Sequence, residues 1–319
     1  MKTDKKVLIT GAGGFVGSAL VEYLASSSGC SVVGCVRTAT PGLGFQSYET
    51  GDLVEFDRWD EALESVDAVV HLAARAHVLK EQTANALEQF RIMNVDVTVR
   101  LAEAALRAGV RRFVYVSSIG VNGAATSGNP FSEGMDPAPE TDYAISKLEA
   151  EEKLKSLFSG TGVELVVVRP PLVYGGKAPG NFRRLLQLSS IGLPLPFARI
   201  GNQRSMLALD NLVDFLGCCI HHNNAADQTF VVADRESLSL PEIVTAIGSG
   251  MNRKIRLFPV PVKALAFGAA LVGKRSEFNQ LCGSLVVDTQ KVHDVLGWQP
   301  PVSARTALVE AGREFLASS

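Results

Sequence analysis

Thr10-Gly11-Ala12-Gly13-Gly14-Phe15-Val16-Gly17 decides how this chain is read. It follows the apolar run Lys6–Thr10 and opens a stretch with helical spacing, in which Phe15, Val16, Ala19, Leu20 and Leu24 share a face. The glycines at 11, 14 and 17 give G-x-x-G-x-x-G. Without side chains they permit a tight turn, close approach of backbone to a pyrophosphate, and close packing of helix on sheet. The helix start then offers free N–H groups and a positive dipole end to the anion. A glycine turn alone is common. Strand, loop and helix in this order point to a dinucleotide site.

Outward from this loop, short β-branched runs recur at Ser31–Val36, Ala68–His71, Arg112–Ser117 and Val163–Val168. Helical stretches separate them, such as the one carrying Val99, Leu101, Ala102, Ala105 and Leu106. Strands apolar on both faces, alternating with helices, predict an α/β fold: a doubly wound parallel sheet of the Rossmann type. The pattern becomes less regular, with frequent Gly and Pro, after Tyr174-Gly175-Gly176. We therefore expect a dinucleotide-binding domain over 1–175 and a smaller α/β substrate-binding domain, mainly 176–319. Val231-Val232-Ala233 has strand character, so the first domain is expected to be re-entered around 205–235.

The 319 residues suit one large or two ordinary domains. Apolar residues make up 46% and charged residues 20%, which excludes a wholly disordered chain. The net charge of −2 leaves no basic excess to grip nucleic acid. The longest apolar stretches, such as Ala264–Gly273, fall short of the ~18–20 residues a membrane span needs. The first residues, Met-Lys-Thr-Asp-Lys-Lys, contain no apolar signal core. Cys30, Cys35, Cys218, Cys219 and Cys282 form no C-x-x-C pair. Reduced thiols, no metal site and a cytoplasmic location are the expectation.

The cofactor can be narrowed. An acid about 20 residues beyond the glycine loop would bond the adenosine ribose and favour NAD. Here the second strand ends Cys35-Val36-Arg37, with no Asp or Glu from Ser31 to Thr40. The Arg37 guanidinium suits a 2′-phosphate, although a solvated surface arginine would look the same. NADP(H) is therefore the expected preference, with NAD(H) left open. Asp52, in Gly51-Asp52-Leu53, can accept from the adenine amino group. His71-Leu72-Ala73-Ala74 ends a strand in small residues, which leaves room for a cofactor. His71 and His77 are assigned no role.

Tyr143-Ala144-Ile145-Ser146-Lys147 begins an amphipathic helix. Tyr and Lys at i, i+4 share a face, roughly 6 Å apart at Cβ. An ammonium there favours phenolate and is expected to pull the tyrosine pKa toward neutrality. Such a tyrosine trades a proton with an alcohol or ketone. The strand Phe113–Ser118 ends in two serines, and strand ends in such sheets face the ligand crevice. Ser118 can hold the reacting oxygen beside Tyr143.

Taken in order, these residues resemble the extended short-chain dehydrogenase/reductases, the NAD-dependent epimerase/dehydratase family that includes UDP-galactose 4-epimerase. The matching pieces are the glycine loop 10–17, Gly-Asp-Leu 51–53, His-Leu-Ala-Ala 71–74, Ser-Ser 117–118, Tyr-x-x-x-Lys 143–147 and Arg-Pro-Pro-Leu-Val-Tyr-Gly 169–175. Resemblance continues through Gly180-Asn181-Phe182, Asn202-Gln203-Arg204-Ser205, Asp210-Asn211-Leu212 and Leu296-Gly297-Trp298. It implies a triad of Ser118, Tyr143 and Lys147, with Lys147 also bonding the nicotinamide ribose. It implies cofactor contacts at Gly11, Gly14, Phe15, Val16, Gly17, Arg37, Asp52, Leu53, Leu72, Ala73, Ala74, Tyr143, Lys147 and Pro170. It implies that Asn181 bonds the substrate nucleotide and Arg204 its diphosphate, beside Ser118.

The pattern is most similar to bacterial enzymes handling UDP-linked 6-deoxy-4-keto-N-acetylhexosamines. Dehydratases of the family carry Asp-Glu after the Ser/Thr, whereas Ile119-Gly120 stand here, so dehydration is not expected. Many epimerases of the family carry an acid where Arg37 stands. The resulting expectation is an NADP(H)-preferring reductase of the C4 ketone of a UDP-linked 6-deoxy-N-acetylhexosamine, in nucleotide-sugar and surface-polysaccharide biosynthesis. The alternative is a UDP-hexose or UDP-N-acetylhexosamine 4-epimerase with tightly bound NAD. A non-catalytic dinucleotide sensor is the remote alternative, since fold does not fix function. A UDP-sugar is the expected partner, and a homodimer is left open.

Overall fold

The computed structural model describes residues 5–26, 29–38, 45–76 and 85–318. His77 lies outside them. The described residues form nine strands: β1 (Lys5–Thr10), β2 (Cys30–Val36), β3 (Gln46–Glu49), β4 (Ala68–His71), β5 (Arg112–Val116), β6 (Glu164–Arg169), β7 (Leu172–Tyr174), β8 (Met206–Ala208) and β9 (Gln228–Val231). Helices α1 (Phe15–Ser26), α2 (Trp59–Ala62), α3 (Ala86–Arg91), α4 (Val97–Arg107) and α5 (Asp142–Phe158) are interspersed among the first six, with α3 and α4 both between β4 and β5. There follow α6 (Gly180–Ile191), α7 (Leu209–His221), α8 (Leu240–Gly250), α9 (Val262–Leu271), α10 (Arg275–Cys282), α11 (Gln290–Leu296) and α12 (Ala304–Ala317).

Seven strands form one parallel sheet in the order β3-β2-β1-β4-β5-β6-β9. The order reverses at β1, which makes the doubly wound α/β fold and opens a crevice beyond the strand ends there. The period-two alternation of each strand feeds two cores. Val7, Ile9, Val70 and Val166 pack with Leu20, Leu24, Leu212 and Phe215 of α1 and α7. Leu8, Val69, Phe113 and Val167 pack on the other face with Leu101 and Leu154 of α4 and α5. Strands buried on both faces explain their unbroken apolar sequence.

The strand expected at Val231–Ala233 falls earlier, over Gln228–Val231. β9 pairs parallel with β6, with Arg169 opposite Val231. A third core gathers Phe182, Leu186, Ile243, Ile247, Leu308 and Phe315 from α6, α8 and α12, beside the two-stranded sheet of β7 and β8. The Asp210-Asn211-Leu212 motif joins this region to the main sheet. Asn211 Nδ2 donates to Asp234 Oδ1 at 2.7 Å and to the Val302 carbonyl at 2.8 Å. Tyr174 donates its hydroxyl to Asp234 Oδ2 at 2.7 Å.

Candidate active site

The glycine loop is fixed by its own contacts. Gly11 has φ +70°, a backbone that L side chains rarely adopt, and lies against Ala73. A Cβ at Gly17 would fall 2.0 Å from the Gly11 carbonyl oxygen. No side chain fits there, so the backbone curls over itself and leaves the first turn of α1 open to an anion. Phe15 and Val16, both partly buried, form that turn.

Beneath the loop, Thr10 and His71 lock the ends of β1 and β4 together. Thr10 Oγ1 accepts from the Leu72 and Ala73 amides, at 3.2 Å each, and lies 2.7 Å from His71 Nδ1. His71 Nε2 lies 2.8 Å from Thr98 Oγ1, whose own proton goes to the Asn94 carbonyl at 2.8 Å. The pattern assigns the proton to Nε2. The imidazole is a neutral strut, and burial pushes its pKa down to about 3. The unfolded chain takes up this proton near pH 6.5, and the folded chain only near 3. Stability is therefore fully present above the first value and is lost as pH falls toward the second. The unfolding free energy should drop across that window, and His71→Asn should flatten the slope. An unchanged slope in urea titrations of the variant rules out His71 as its source.

Beyond β2, Arg37 is exposed, and its side chain has no partner among the described residues. Its carbonyl accepts from the Gly51 amide at 3.0 Å, which sets it beside Gly51-Asp52-Leu53. Asp52 is exposed and accepts from the Val54 amide at 3.0 Å. Leu72 and Ala74 are partly buried at the end of β4, flanking the buried Ala73. The structure thus lines up the predicted cofactor residues along the C-terminal edge of β1, β2 and β4.

Ser118 stands just beyond β5 at the same edge. Its Oγ accepts from the Gly120 amide at 3.1 Å and caps a short turn over Ile119–Val121. The Ile119 amide donates to the Pro170 carbonyl at 2.9 Å, which brings Pro170 next to Ser118. The Thr141 hydroxyl caps α5 by accepting from the Ala144 amide at 3.2 Å. Tyr143 falls in the first turn of α5 and Lys147 one turn later. Gly120 lies between the two elements: a Cβ there would be 3.3 Å from both Ser118 Oγ and Ala144 Cβ. Ser118 and the start of α5 are therefore neighbours.

Tyr143 is half-buried, edge-on to Phe90 at 6.1 Å, and its hydroxyl has no partner among the described residues. Lys147 is buried, with Nζ 4.3 Å from the centre of the Tyr115 ring and no hydrogen bond or ion pair among the described residues. Burial lowers the Lys147 pKa to about 7, opposed by the nearby Glu151 carboxylate. Burial also pushes the Tyr143 phenol up to about 12. This corrects the expected drop toward neutrality. In the protein alone, desolvation outweighs the pull of a lysine that is itself easily deprotonated.

Three supporting features were not foreseen. Glu151, one turn beyond Lys147, is fully buried and takes Arg169 Nε at 2.9 Å and Nη2 at 2.6 Å. Ser117 Oγ donates to the same carboxylate at 2.5 Å. Arg169 Nη1 reaches Asn122 Oδ1 at 3.1 Å, so the arginine of the Arg-Pro-Pro motif is a strut beneath the site. Asn94 sits in a π-helical turn, Ile92–Asp96, between α3 and α4. Its Nδ2 donates to Ser146 Oγ at 2.9 Å and to the Arg75 carbonyl at 3.2 Å, tying α5 to the chain after β4. Tyr115 was read only as a strand residue, yet its ring faces Lys147.

Asn181 and Arg204 lie further out. Asn181 is exposed at the start of α6 and donates to Gln280 Oε1 at 2.9 Å. Arg204 is partly buried and donates from Nη1 to the Gly283 carbonyl at 3.0 Å. The chain just beyond, 284–287, hydrogen-bonds Ser205 on one side and the Thr126–Phe131 loop on the other. That loop follows Ser118, so a continuous wall runs from Ser118 to Arg204. No metal-holding cluster of His, Cys, Asp or Glu occurs among the described residues.

An unpartnered Tyr/Lys pair and a serine, set beside a glycine loop at the switch point of a doubly wound sheet, define a dinucleotide-dependent enzyme class that works on hydroxyl or carbonyl carbon. The chain belongs to the NAD dependent epimerase/dehydratase family, whose model matches residues 7–233. It is 38% identical over 317 residues to a UDP-glucose 4-epimerase of Vibrio cholerae, covering 99% of this chain and 97% of that protein. It is 25% identical to the N-acetyl-alpha-D-glucosaminyl-diphospho-ditrans,octacis-undecaprenol 4-epimerase of Escherichia coli O157:H7, covering 91% and 89%. Its fold matches that of UDP-glucuronic acid 4-epimerase from Bacillus cereus, solved in complex with NAD, with a TM-score of 0.78 at 21% identity, covering 98% and 99%.

Proposed function

We propose that this enzyme interconverts C4 epimers of a UDP-linked hexose or N-acetylhexosamine, using a retained NAD. The observation that carries this reading is near-full-length similarity, at 38% identity, to a UDP-glucose 4-epimerase, in a chain that keeps Ser118, Tyr143 and Lys147 together. The residues fit the cofactor. The cradle at Gly11 and Gly17 has no room for side chains, and the Lys147 ammonium and Tyr143 hydroxyl await partners. A bound nicotinamide supplies reversible hydride acceptance from C4.

The chain's own groups handle the proton and the orientation. Tyr143 takes the proton of the 4-hydroxyl and later returns it to the ketone oxygen. Ser118 bonds the same oxygen and fixes its distance from Tyr143. Protonated Lys147 bonds the nicotinamide ribose and stabilises the Tyr143 phenolate. Arg204 and Asn181 hold the diphosphate and nucleotide, whose two negative charges suit a guanidinium fork. Held by that end, the ketosugar can turn and present its other face. Ile119-Gly120 after Ser118 supply no acid/base pair for elimination, which supports a reaction confined to C4.

The direct experiment offers UDP-glucose and UDP-N-acetylglucosamine to purified enzyme without added cofactor and looks for C4 epimers. The nucleotide released on denaturation should be NAD. A second reading keeps the triad but makes the enzyme an NADPH-dependent 4-ketoreductase; exposed Arg37, with no acid beside it on β2, favours it. Under that reading Arg37→Ala weakens NADPH by about 1–3 kcal/mol and leaves NADH nearly unchanged. UDP-4-keto-6-deoxy-N-acetylglucosamine would then oxidise NADPH stoichiometrically. Epimers without added cofactor, together with equal affinity for the two reduced cofactors, remove the reductase.

A further inference from the structure

We propose that α9 and its flanks form a docking surface for an anionic lipid bilayer. Of the apolar stretch Ala264–Gly273, Leu265 touches the third core, while Phe267, Leu271 and Val272 stay exposed. Every side of α9 (Val-Lys-Ala-Leu-Ala-Phe-Gly-Ala-Ala-Leu) is apolar apart from Lys263, yet none of its residues is buried. A helix apolar all round belongs inside a protein or against something else. Of the ten large hydrophobic side chains exposed among the described residues, seven lie here: Ile191, Leu193, Phe258, Val262, Phe267, Leu271 and Val272. Leu195 and Leu257 bridge the segment carrying Ile191 and Leu193 to the one carrying Phe258, which runs on into α9 at Val262. Phe267 and Leu271, 66% and 73% exposed, are one turn apart on one face.

The charge around the patch selects the occupant. Between Glu242 and Glu277 stand Arg253, Lys254, Arg256, Lys263, Lys274 and Arg275, with no acid, in a chain whose net charge is −2. None of the six makes an ion pair among the described residues. Between Glu164 and Asp210, across the other edge of the patch, there is likewise no acid. Exposed apolar side chains flanked by unpaired cations supply the two terms that hold a surface on a bilayer, apolar burial and attraction to anionic lipid. A symmetric contact with a second copy would set these cations against their own equivalents. Ten residues span about 15 Å, half of a hydrocarbon core of about 30 Å, so the helix lies on a bilayer and does not cross it. α10, which follows directly, carries the Gln280 that bonds Asn181. Docking through α9 therefore brings the bilayer close to the residues proposed for the substrate nucleotide.

The test is sedimentation of full-length protein with vesicles of phosphatidylcholine alone, or of phosphatidylcholine mixed with phosphatidylglycerol. The protein should sediment with the anionic vesicles and stay largely in solution with the neutral ones. Phe267→Ser combined with Leu271→Ser should abolish sedimentation. Lys254→Glu combined with Lys263→Glu should reduce partitioning at least about 25-fold, at roughly fivefold per cation near an anionic surface. Because these side chains are exposed, both variants should keep the parent's melting temperature and its turnover of soluble UDP-sugar. Parent protein that ignores anionic vesicles, or an apolar double variant that still sediments, overturns the proposal. So does a dimer in ultracentrifugation that the Phe267/Leu271 variant disperses while vesicles bind nothing, which would assign the patch to a second copy. Turnover of soluble substrate is read separately, so a failure of the epimerase reading shows there and not in the vesicle assay.

Discussion

Tyr143→Phe should lower turnover by about 10²–10⁴, the range for loss of a general acid–base group. That is roughly 3–5 kcal/mol of transition-state stabilisation. The substitution is clean because the ring contact with Phe90 survives and the hydroxyl has no partner to lose among the described residues. Stability should stay within about 0.5 kcal/mol of the parent, and calorimetry should find UDP-sugar affinity nearly unchanged. The phenol sits near 12 in the uncomplexed protein, so it is no base at neutral pH until Lys147 is charged and a cofactor is bound. Near-parent turnover in the variant would take Tyr143 out of the chemistry.

Arg169→Ala should cost about 3–5 kcal/mol of unfolding free energy, the penalty for stranding a buried charge. Glu151 is fully buried, and its two oxygens are met by Arg169 and Ser117. Removing the guanidinium leaves the carboxylate with the Ser117 hydroxyl and a half-exposed Lys155 ammonium at 3.9 Å, and also strips Asn122 Oδ1 of its donor. Glu151→Leu combined with Arg169→Met should recover much of the loss, because a packed apolar pair avoids the desolvation of two ions. Urea unfolding of the three proteins decides the matter. A loss under about 1 kcal/mol in the single variant would mean that water or local rearrangement satisfies Glu151. The double variant should also move the Lys147 titration downward, since Glu151 is the charge that holds it up.

The reductase expectation stood on Arg37 and on the missing acid pair after Ser118. The missing acid pair speaks only against dehydration and does not separate reduction from epimerisation at C4, since both use the same tyrosine, serine and nicotinamide; Arg37 bears on the choice between NADP and NAD. The relatives favour the epimerase alternative, and none of the findings supports the expected preference for NADP.

What the chain alone made legible was local in sequence. A strand, a glycine loop and a helix within twenty residues have few ways to fold, and the parallel sheet followed from strands apolar on both faces. Tyr143 and Lys147 share a face because four residues make about one helical turn. Ser118 reaches the crevice because it follows directly on a central strand. The partnerships across long separations were decided only by the tertiary structure. Thr10 meets His71 because β1 and β4 are neighbours in the sheet. Glu151 meets Arg169 and Ser117 because α5 packs over β5 and β6. The exposure of α9 was invisible for the same reason. Its sequence is that of a buried helix, and burial depends on what the rest of the chain brings to its side. Likewise, the pKa of Tyr143 could not be read from its lysine neighbour, because the desolvation that dominates it is produced by the surrounding packing and not by any spacing in the sequence.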